Sequence, residues 1–353
     1  MKDKLKIGIL SFPTACNHGA YLQVYALRGY LLEQNYNVEV INYRNKQHFL
    51  NEMRSMFIKK NVQLILFNII RYLGFRKAQK RFDMNRMTFS HQRIGSENYD
   101  VIVVGGDIVW DFKSSFIGHD PIYYGHNLKS KKIISYAASA GNSRVKDCPS
   151  YVRSGVELFS GIGVRDSESY KIANVTATKA IKSIVLDTTL IYDFPVTTNI
   201  AYPKKYILIY AFTVTEEDCF ELISFAAAND LDIVSITFNS SHPWATKNFS
   251  NIDPLDFVEL VRSADYVFTS TFHGLLFSIK YRKQVALRNN PTIESKCSWL
   301  IENLSLDAVV ISKESSVSKI FNNDKLFPDS FNEHFDSLIQ QSTFFLNSNI
   351  EGH

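Results

Sequence analysis

Cysteine is scarce in this chain. Four stand in 353 residues, at Cys16, Cys148, Cys219 and Cys297, far apart and without a C-x-x-C spacing. A disulfide framework or a structural zinc site needs clustered thiols, so this pattern argues against both. The compartment it suggests is a reducing cytoplasm. No two histidines stand four residues apart and no loop is rich enough in carboxylates to cage Ca²⁺ or Mg²⁺, so no metal is expected. No apolar run approaches the roughly 20 residues that a membrane-crossing helix needs. The first strand is not followed by G-x-G-x-x-G, and a P-loop is absent; both absences disfavour nicotinamide or nucleoside triphosphate chemistry. The apolar stretch Ile7–Phe12 is short and soon followed by Asn17-His18, which suits a first strand better than a signal peptide. Pro13, just upstream of Ala15-Cys16, argues against a lipoprotein site. No internal repeat or low-complexity tract stands out.

What is present points to an ordinary globular chain, 45% apolar and 21% charged. Its length suggests two domains on a soft expectation of roughly 100–200 residues each. The net charge of +4 is unevenly spread. Between Arg44 and Arg93 stand twelve Lys or Arg against two acids, Glu52 and Asp83, while the rest of the chain holds 27 bases and 33 acids. Such a local excess implies an anionic partner for that segment rather than for the whole protein, and no nucleic acid is expected.

Along the chain, strand and helix patterns alternate. Strands are expected at Lys6–Phe12, Val38–Tyr43, Asp100–Val104, Lys132–Tyr136, Gly161–Arg165 and Ser183–Leu186, with a first helix over about 20–34. This is the rhythm of βαβ units, which build parallel sheets. The segment 44–93 reads as two or three basic amphipathic helices inserted before the third strand. They either pack on their own domain or contact a membrane surface. Asp193–Lys205 carries Pro195 and Pro203 without periodicity and is the expected linker. A second series follows: strands Tyr206–Phe212, Asp232–Thr237, Tyr266–Thr269 and Gln284–Leu287, helices Glu216–Asn229, Pro254–Ser263, Leu275–Tyr281 and Ser298–Leu304, a loop Phe238–Asp253, and a last helix around Phe331–Phe345. The expected class is therefore α/β: an N-terminal Rossmann-like domain over 1–195 with its insert 44–93, and a C-terminal one over 196–353 whose last helix returns to the first. Strand ends of both halves would face a cleft between them.

Chemistry-bearing residues gather at expected strand ends. Thr269-Ser270-Thr271-Phe272-His273-Gly274 places one histidine just before the expected helix start, where free N–H groups favour an anion and an imidazole can move a proton near neutral pH. The same residues would also suit a histidine that only caps the helix. Gly105-Gly106-Asp107 allows close backbone approach, with Asp107 either a base or a turn cap. Ala137-Ala138-Ser139-Ala140-Gly141 leaves room for a ligand or a closely packed helix. Arg165 would pair with Asp166 or Glu168, or hold a ligand.

Together these motifs resemble the polysaccharide pyruvyl transferase family. The match is carried by Asn17-His18-Gly19-Ala20-Tyr21-Leu22-Gln23, Tyr99-Asp100-Val101-Ile102-Val103-Val104-Gly105-Gly106-Asp107, Ile134-Ser135-Tyr136-Ala137-Ala138-Ser139, Val164-Arg165-Asp166, Leu186-Asp187-Thr188-Thr189 and Asp265-Tyr266-Val267-Phe268-Thr269-Ser270-Thr271-Phe272-His273-Gly274, in the family's order. The chain departs from it at Gly106 and Ile108, where many members read Gly-Ser-Asp-Gln, at Thr188, where many have proline, and at Thr271, where some relatives carry arginine.

The resemblance implies a GT-B-like pair of Rossmann-like domains. It also implies transfer of pyruvate from phosphoenolpyruvate, as donor substrate without a cofactor, to two hydroxyls of a sugar as a cyclic ketal. The acceptor would be a saccharide of the cell surface, polymeric or lipid-linked, met in the cytoplasm or at the inner membrane face. Ketal formation needs an acid for the methylene carbon, which suits His273. Asp107 could position or deprotonate a hydroxyl, as could Asp187. Arg165 would clamp the carboxylate or phosphate, with further positive charge from Arg288, and His18 could bind the anion or the sugar. Asn17, Gly19, Gly106, Ser139, Thr271 and Gly274 complete the expected substrate-binding set. The rivals are a sugar-nucleotide glycosyltransferase, for which Glu294 and Glu302 have a suggestive spacing, and a non-catalytic module of a polysaccharide assembly machine.

Overall fold

A computed structural model of the protein describes residues 4–59, 61–94, 98–177, 179–237 and 241–352. The chain forms two compact units. One comprises Met1–Asn68, Phe75–Asp193 and Asp336–His353; the other comprises Ile69–Gly74 and Phe194–Phe335.

In the first unit six strands, β1 (Lys6–Leu10), β2 (Asn37–Val40), β3 (Tyr99–Gly105), β4 (Ser130–Ala138), β5 (Gly161–Val164) and β6 (Ile181–Ile184), form one parallel sheet in the order β2-β1-β3-β4-β5-β6. The continuous apolar runs Ile7–Leu10 and Val101–Val104 account for it. Parallel strands are covered on both faces, so both side-chain sets must be apolar. In the second unit β7 (Tyr206–Tyr210), β8 (Asp232–Ile236), β9 (Lys247–Phe249), β10 (Tyr266–Thr269) and β11 (Gln284–Leu287) form a parallel sheet in the order β11-β10-β7-β8-β9.

Each order contains one reversal. In the first sheet the chain winds one way from β1 to β2, then crosses to β3 and runs on to β6. In the second it winds from β7 to β9, then crosses to β10 and β11. Beside each reversal the connecting loops leave in opposite directions, which opens a crevice at the carboxyl ends of the strands. The β1/β3 crevice is flanked by Ser11–Asn17 and Gly105–Asp107. The β7/β10 crevice is flanked by Ala211–Thr213 and Ser270–His273.

The expected loop Phe238–Asp253 begins outside the described residues, at 238–240, and contains the edge strand β9, which pairs in parallel with β8 from Val234 to Ile236. Three residues between polar neighbours carry too little periodicity to be read. The helix expected over Ser298–Leu304 starts at Pro291, because Asn290 caps it and proline fits its first turn. A further short helix, Val317–Phe321, was not expected. The inserted segment holds the helices Lys46–Phe57 and Val62–Ala78 and the short His91–Ile94. The last helix, Phe331–Glu351, is tied to the first unit. Ser342 Oγ accepts from the Leu186 N–H at 2.8 Å, and Lys132 Nζ donates to the Asn349 carbonyl at 2.8 Å. No helix among the described residues is long and apolar enough to cross a membrane.

Candidate functional site

In the first unit the sheet brings Arg165, Asp187 and Asp107 together. Arg165 follows β5 and Asp187 follows the neighbouring β6, so their side chains meet at adjacent strand ends. Arg165 Nη1 donates to Asp187 Oδ2 at 2.8 Å, and Arg165 Nη2 lies 3.9 Å from Asp107 Oδ1. The expected partners, Asp166 and Glu168, are engaged elsewhere. Asp166 caps the helix Ser167–Thr176 through the Ser169 N–H and hydroxyl, and Glu168 lies 3.4 Å from Lys171. The side chains of Arg165 and Asp187 are 2% and 1% exposed and that of Asp107 is 20% exposed, so Asp107 is the member of the trio that solvent reaches. Asp187 also accepts from the Thr189 N–H and hydroxyl, which fixes its rotamer.

Backbone geometry supports this cluster. Gly106 has φ +65°, and a Cβ there would fall 2.8 Å from Gln23 Oε1, so any other residue would strain the backbone and push the Gln23 amide aside. Asp107 itself has φ +61°, a region few non-glycine residues adopt. Its carbonyl accepts from the Ser139 N–H at 3.0 Å, which ties the β3 loop to the β4 loop. Ser139 is buried, and its hydroxyl accepts from the Gly141 N–H, holding its own turn.

Asn17 caps the first helix, which begins at His18 rather than near Ala20. The Asn17 side chain accepts from the Ala20 N–H at 3.1 Å, and this places His18 in the first turn instead of the preceding loop. His18 is buried, with its ring 5.2 Å from that of Phe75, and Gly19 is buried beside it.

Sequence reasoning missed His48. It lies in the insert, on the helix Lys46–Phe57, with its ring packed edge-on against Phe12 at 4.8 Å. It lines a depression with Thr14, Arg44, Glu52 and Tyr123. Burial lowers the affinity of its imidazole for a proton, while the Asp107 carboxylate pulls the other way. Its one sequence signal is Asn45, the cap three residues earlier, which announces a helix but not its side chains' surroundings.

In the second unit Thr271 caps the helix Phe272–Lys280, accepting from the Gly274 N–H at 3.0 Å. His273 is therefore inside the first turn, not ahead of the helix. It is half-buried, with its ring against Phe272 at 5.1 Å. A Cβ on Gly274 would lie 2.1 Å from Thr269 Oγ1, so the helix can approach the strand end only with glycine there. Ser270 Oγ accepts from the Phe212 and Thr213 N–H groups at 2.9 and 3.1 Å, tying the loop after β7 to the loop after β10. Arg288, at the end of β11, is held by two donations to Asp218, with Nε at 3.0 Å from Oδ2. Asp218 is itself the third residue of a capping box with Thr215. Glu294 and Glu302 both face solvent on the helix Pro291–Asn303. Among the described residues no group of three His, Cys, Asp or Glu is placed to hold a metal ion.

A family model described as polysaccharide pyruvyl transferase matches residues 17–290. Comparison with curated proteins finds no match. Among solved structures, UDP-GlcNAc 2-epimerase from Neisseria meningitidis bound to UDP-GlcNAc shares 12% identity over 99% of this chain and 100% of its own, with a TM-score of 0.52. The S. aureus MnaA–UDP complex shares 12% identity over 98% of this chain and 97% of its own, also with a TM-score of 0.52. At that identity the likeness is one of fold, two Rossmann-like units of the GT-B-like class.

Proposed function

From the chain's membership of the polysaccharide pyruvyl transferase family, we propose that it transfers pyruvate from phosphoenolpyruvate to a sugar of a cell-surface polysaccharide or of its lipid-linked precursor. The product is a cyclic ketal, and inorganic phosphate is released. The observation that carries the proposal is the extent of the family match. Residues 17–290 take in Gly105-Gly106-Asp107, Val164-Arg165-Asp166 and Thr271-Phe272-His273-Gly274, so the matched sequence includes the strand-end residues of both units.

The reaction sets three chemical demands. The donor brings a carboxylate and a phosphate, so it needs cations or N–H groups. Arg165 is assigned the anion, and the Asp187 contact pre-orients its guanidinium. The methylene carbon must take a proton, which makes the neighbouring carbon cation-like and open to a sugar hydroxyl. His273 is assigned that step, since an imidazole exchanges protons near neutral pH. A second hydroxyl then displaces phosphate, and both hydroxyl protons must leave. Asp107, the solvent-reached carboxylate of its cluster, is assigned to positioning or deprotonation. No cofactor or metal enters this scheme.

The test is incubation with phosphoenolpyruvate and galactose- or mannose-containing acceptors. Phosphate release that depends on the acceptor, with a ketal methyl signal in the product's proton spectrum, supports the proposal. Thermal stabilisation by a nucleotide sugar but not by phosphoenolpyruvate would transfer the protein to the glycosyltransferases. No response to either, with tight binding to another protein, would make it an assembly module.

A further inference from the structure

The helix Val62–Ala78 wears its apolar side outward. Val62, Leu66, Ile69, Ile70 and Leu73 are 68, 56, 40, 56 and 60% exposed, and Ile58 just before the helix is 75% exposed. These helix positions recur every third or fourth residue and so form one stripe along the helix. On the opposite side Asn68, Phe75 and Ala78 are buried while Leu64 and Ile65 are half-buried, and the Asn68 side chain, 2% exposed, donates to the Met56 carbonyl at 2.8 Å. A surface helix normally shows water its polar face, and a contiguous apolar stripe marks a partner. Basic residues bracket the stripe. Lys59 stands before it, Arg76, Lys77 and Lys80 follow it, and all four are exposed. No acidic residue occurs between Glu52 and Asp83.

We propose that this stripe seats the protein on an anionic lipid surface. The helix would lie in the plane of the interface, its aliphatic side chains among the upper acyl carbons and its cations at the phosphates. Charge selects this occupant. A second copy of the chain would set one acid-free basic segment against another, and like charges at contact oppose such a dimer. The proposal stands independently of the reaction assigned above.

The test uses the full chain with vesicles of phosphatidylcholine alone or mixed with an equal part of phosphatidylglycerol. The protein is expected to co-sediment with the mixed vesicles at low salt, to be released as salt rises, and to ignore the neutral ones. The double variant Leu66→Asp/Ile70→Asp is expected to bind about tenfold more weakly or worse, with circular dichroism and Tm unchanged. Lys77→Glu/Lys80→Glu, which leaves every apolar contact in place, is expected to lose about fivefold or more per reversed charge. Failure to sediment with mixed vesicles at low salt, binding indifferent to salt, or a dimer in sedimentation velocity that the aspartate variant dissolves would each overturn it. Phosphate release with a soluble acceptor, measured on the same preparations, should be unchanged by these variants and so reads the reaction separately.

Discussion

The guanidinium of Arg165 and the carboxylate of Asp187 meet at 2.8 Å across two neighbouring strand ends, both almost wholly removed from water. A charge so buried is tolerated only with its partner. Arg165→Ala should therefore destabilise the protein by about 3–5 kcal/mol, because the Asp187 carboxylate stays behind without its cation. Urea unfolding measures this. A loss below about 1 kcal/mol would mean that Asp187 finds another donor or takes up a proton. Arg165→Lys keeps the charge but not the planar fork, and is expected to raise the KM for phosphoenolpyruvate more than it lowers kcat.

His273→Ala tests a different property. The side chain is half-buried in the first turn of its helix, where its ring packs against Phe272 and the cap is supplied by Thr271 instead, so the fold should survive. Turnover is expected to fall by about 10²–10⁴-fold, the usual weight of a positioned acid. Phosphate release in the presence of acceptor, with circular dichroism as the folding control, decides it. Near-normal rates would take the proton step away from this residue.

Gly274→Ala acts by crowding. The added carbon would lie 2.1 Å from Thr269 Oγ1 and 2.7 Å from Thr271 Oγ1, the two hydroxyls that hold the strand end and the cap. An overpacked site of this kind costs about 1–3 kcal/mol. Thr271→Ala, which removes the cap and adds nothing, should cost about 1 kcal/mol. Thermal melts of the two variants should therefore rank alanine at 274 below alanine at 271, and the reverse order would show that the helix can slide.

His48 gives the fold an acid-side weakness. An unfolded histidine titrates near ~6.5, and burial holds His48 below its ordinary value. The unfolded chain therefore binds this proton more readily than the folded one. The histidine's penalty is absent above about pH 6.5 and grows as pH falls below it. Melts between about pH 7 and pH 5 should decline less steeply for His48→Gln than for the parent. Equal slopes would clear His48 of the effect.

Much of the architecture was legible because buried parallel strands leave an unambiguous mark. Val101–Val104 and Tyr266–Thr269 could be little else. The helix Pro254–Ser263 could be read to its ends, since Asp253 caps it and Pro254 opens it. The pairing of Arg165 was not legible. Its partner is 22 residues away, just past the end of the adjoining strand, and local reasoning offers only Asp166 and Glu168. The start of the helix at Phe272 was missed for a related reason: Thr271 reads as a small loop residue until its hydroxyl is seen to take the Gly274 N–H. His48 was hidden in a segment whose charge drew attention away from its chemistry. The apolar count of Val62–Ile70 was visible, but which residues face water depends on what the helix packs against, and Leu64 and Ile65 prove half-buried while Leu66 and Ile70 do not.

The closing helix carries a consequence for how the protein is made. Phe345, Leu346 and Ile350 are buried, and Phe345 and Asn349 crowd against Gly163 and Gly161 of β5. These residues leave the ribosome after the whole second unit has emerged. The nascent first unit must wait, with one flank of its sheet uncovered, while about 140 intervening residues are synthesised over some seven seconds or more. Vectorial completion is thus denied to the half of the molecule that is translated first.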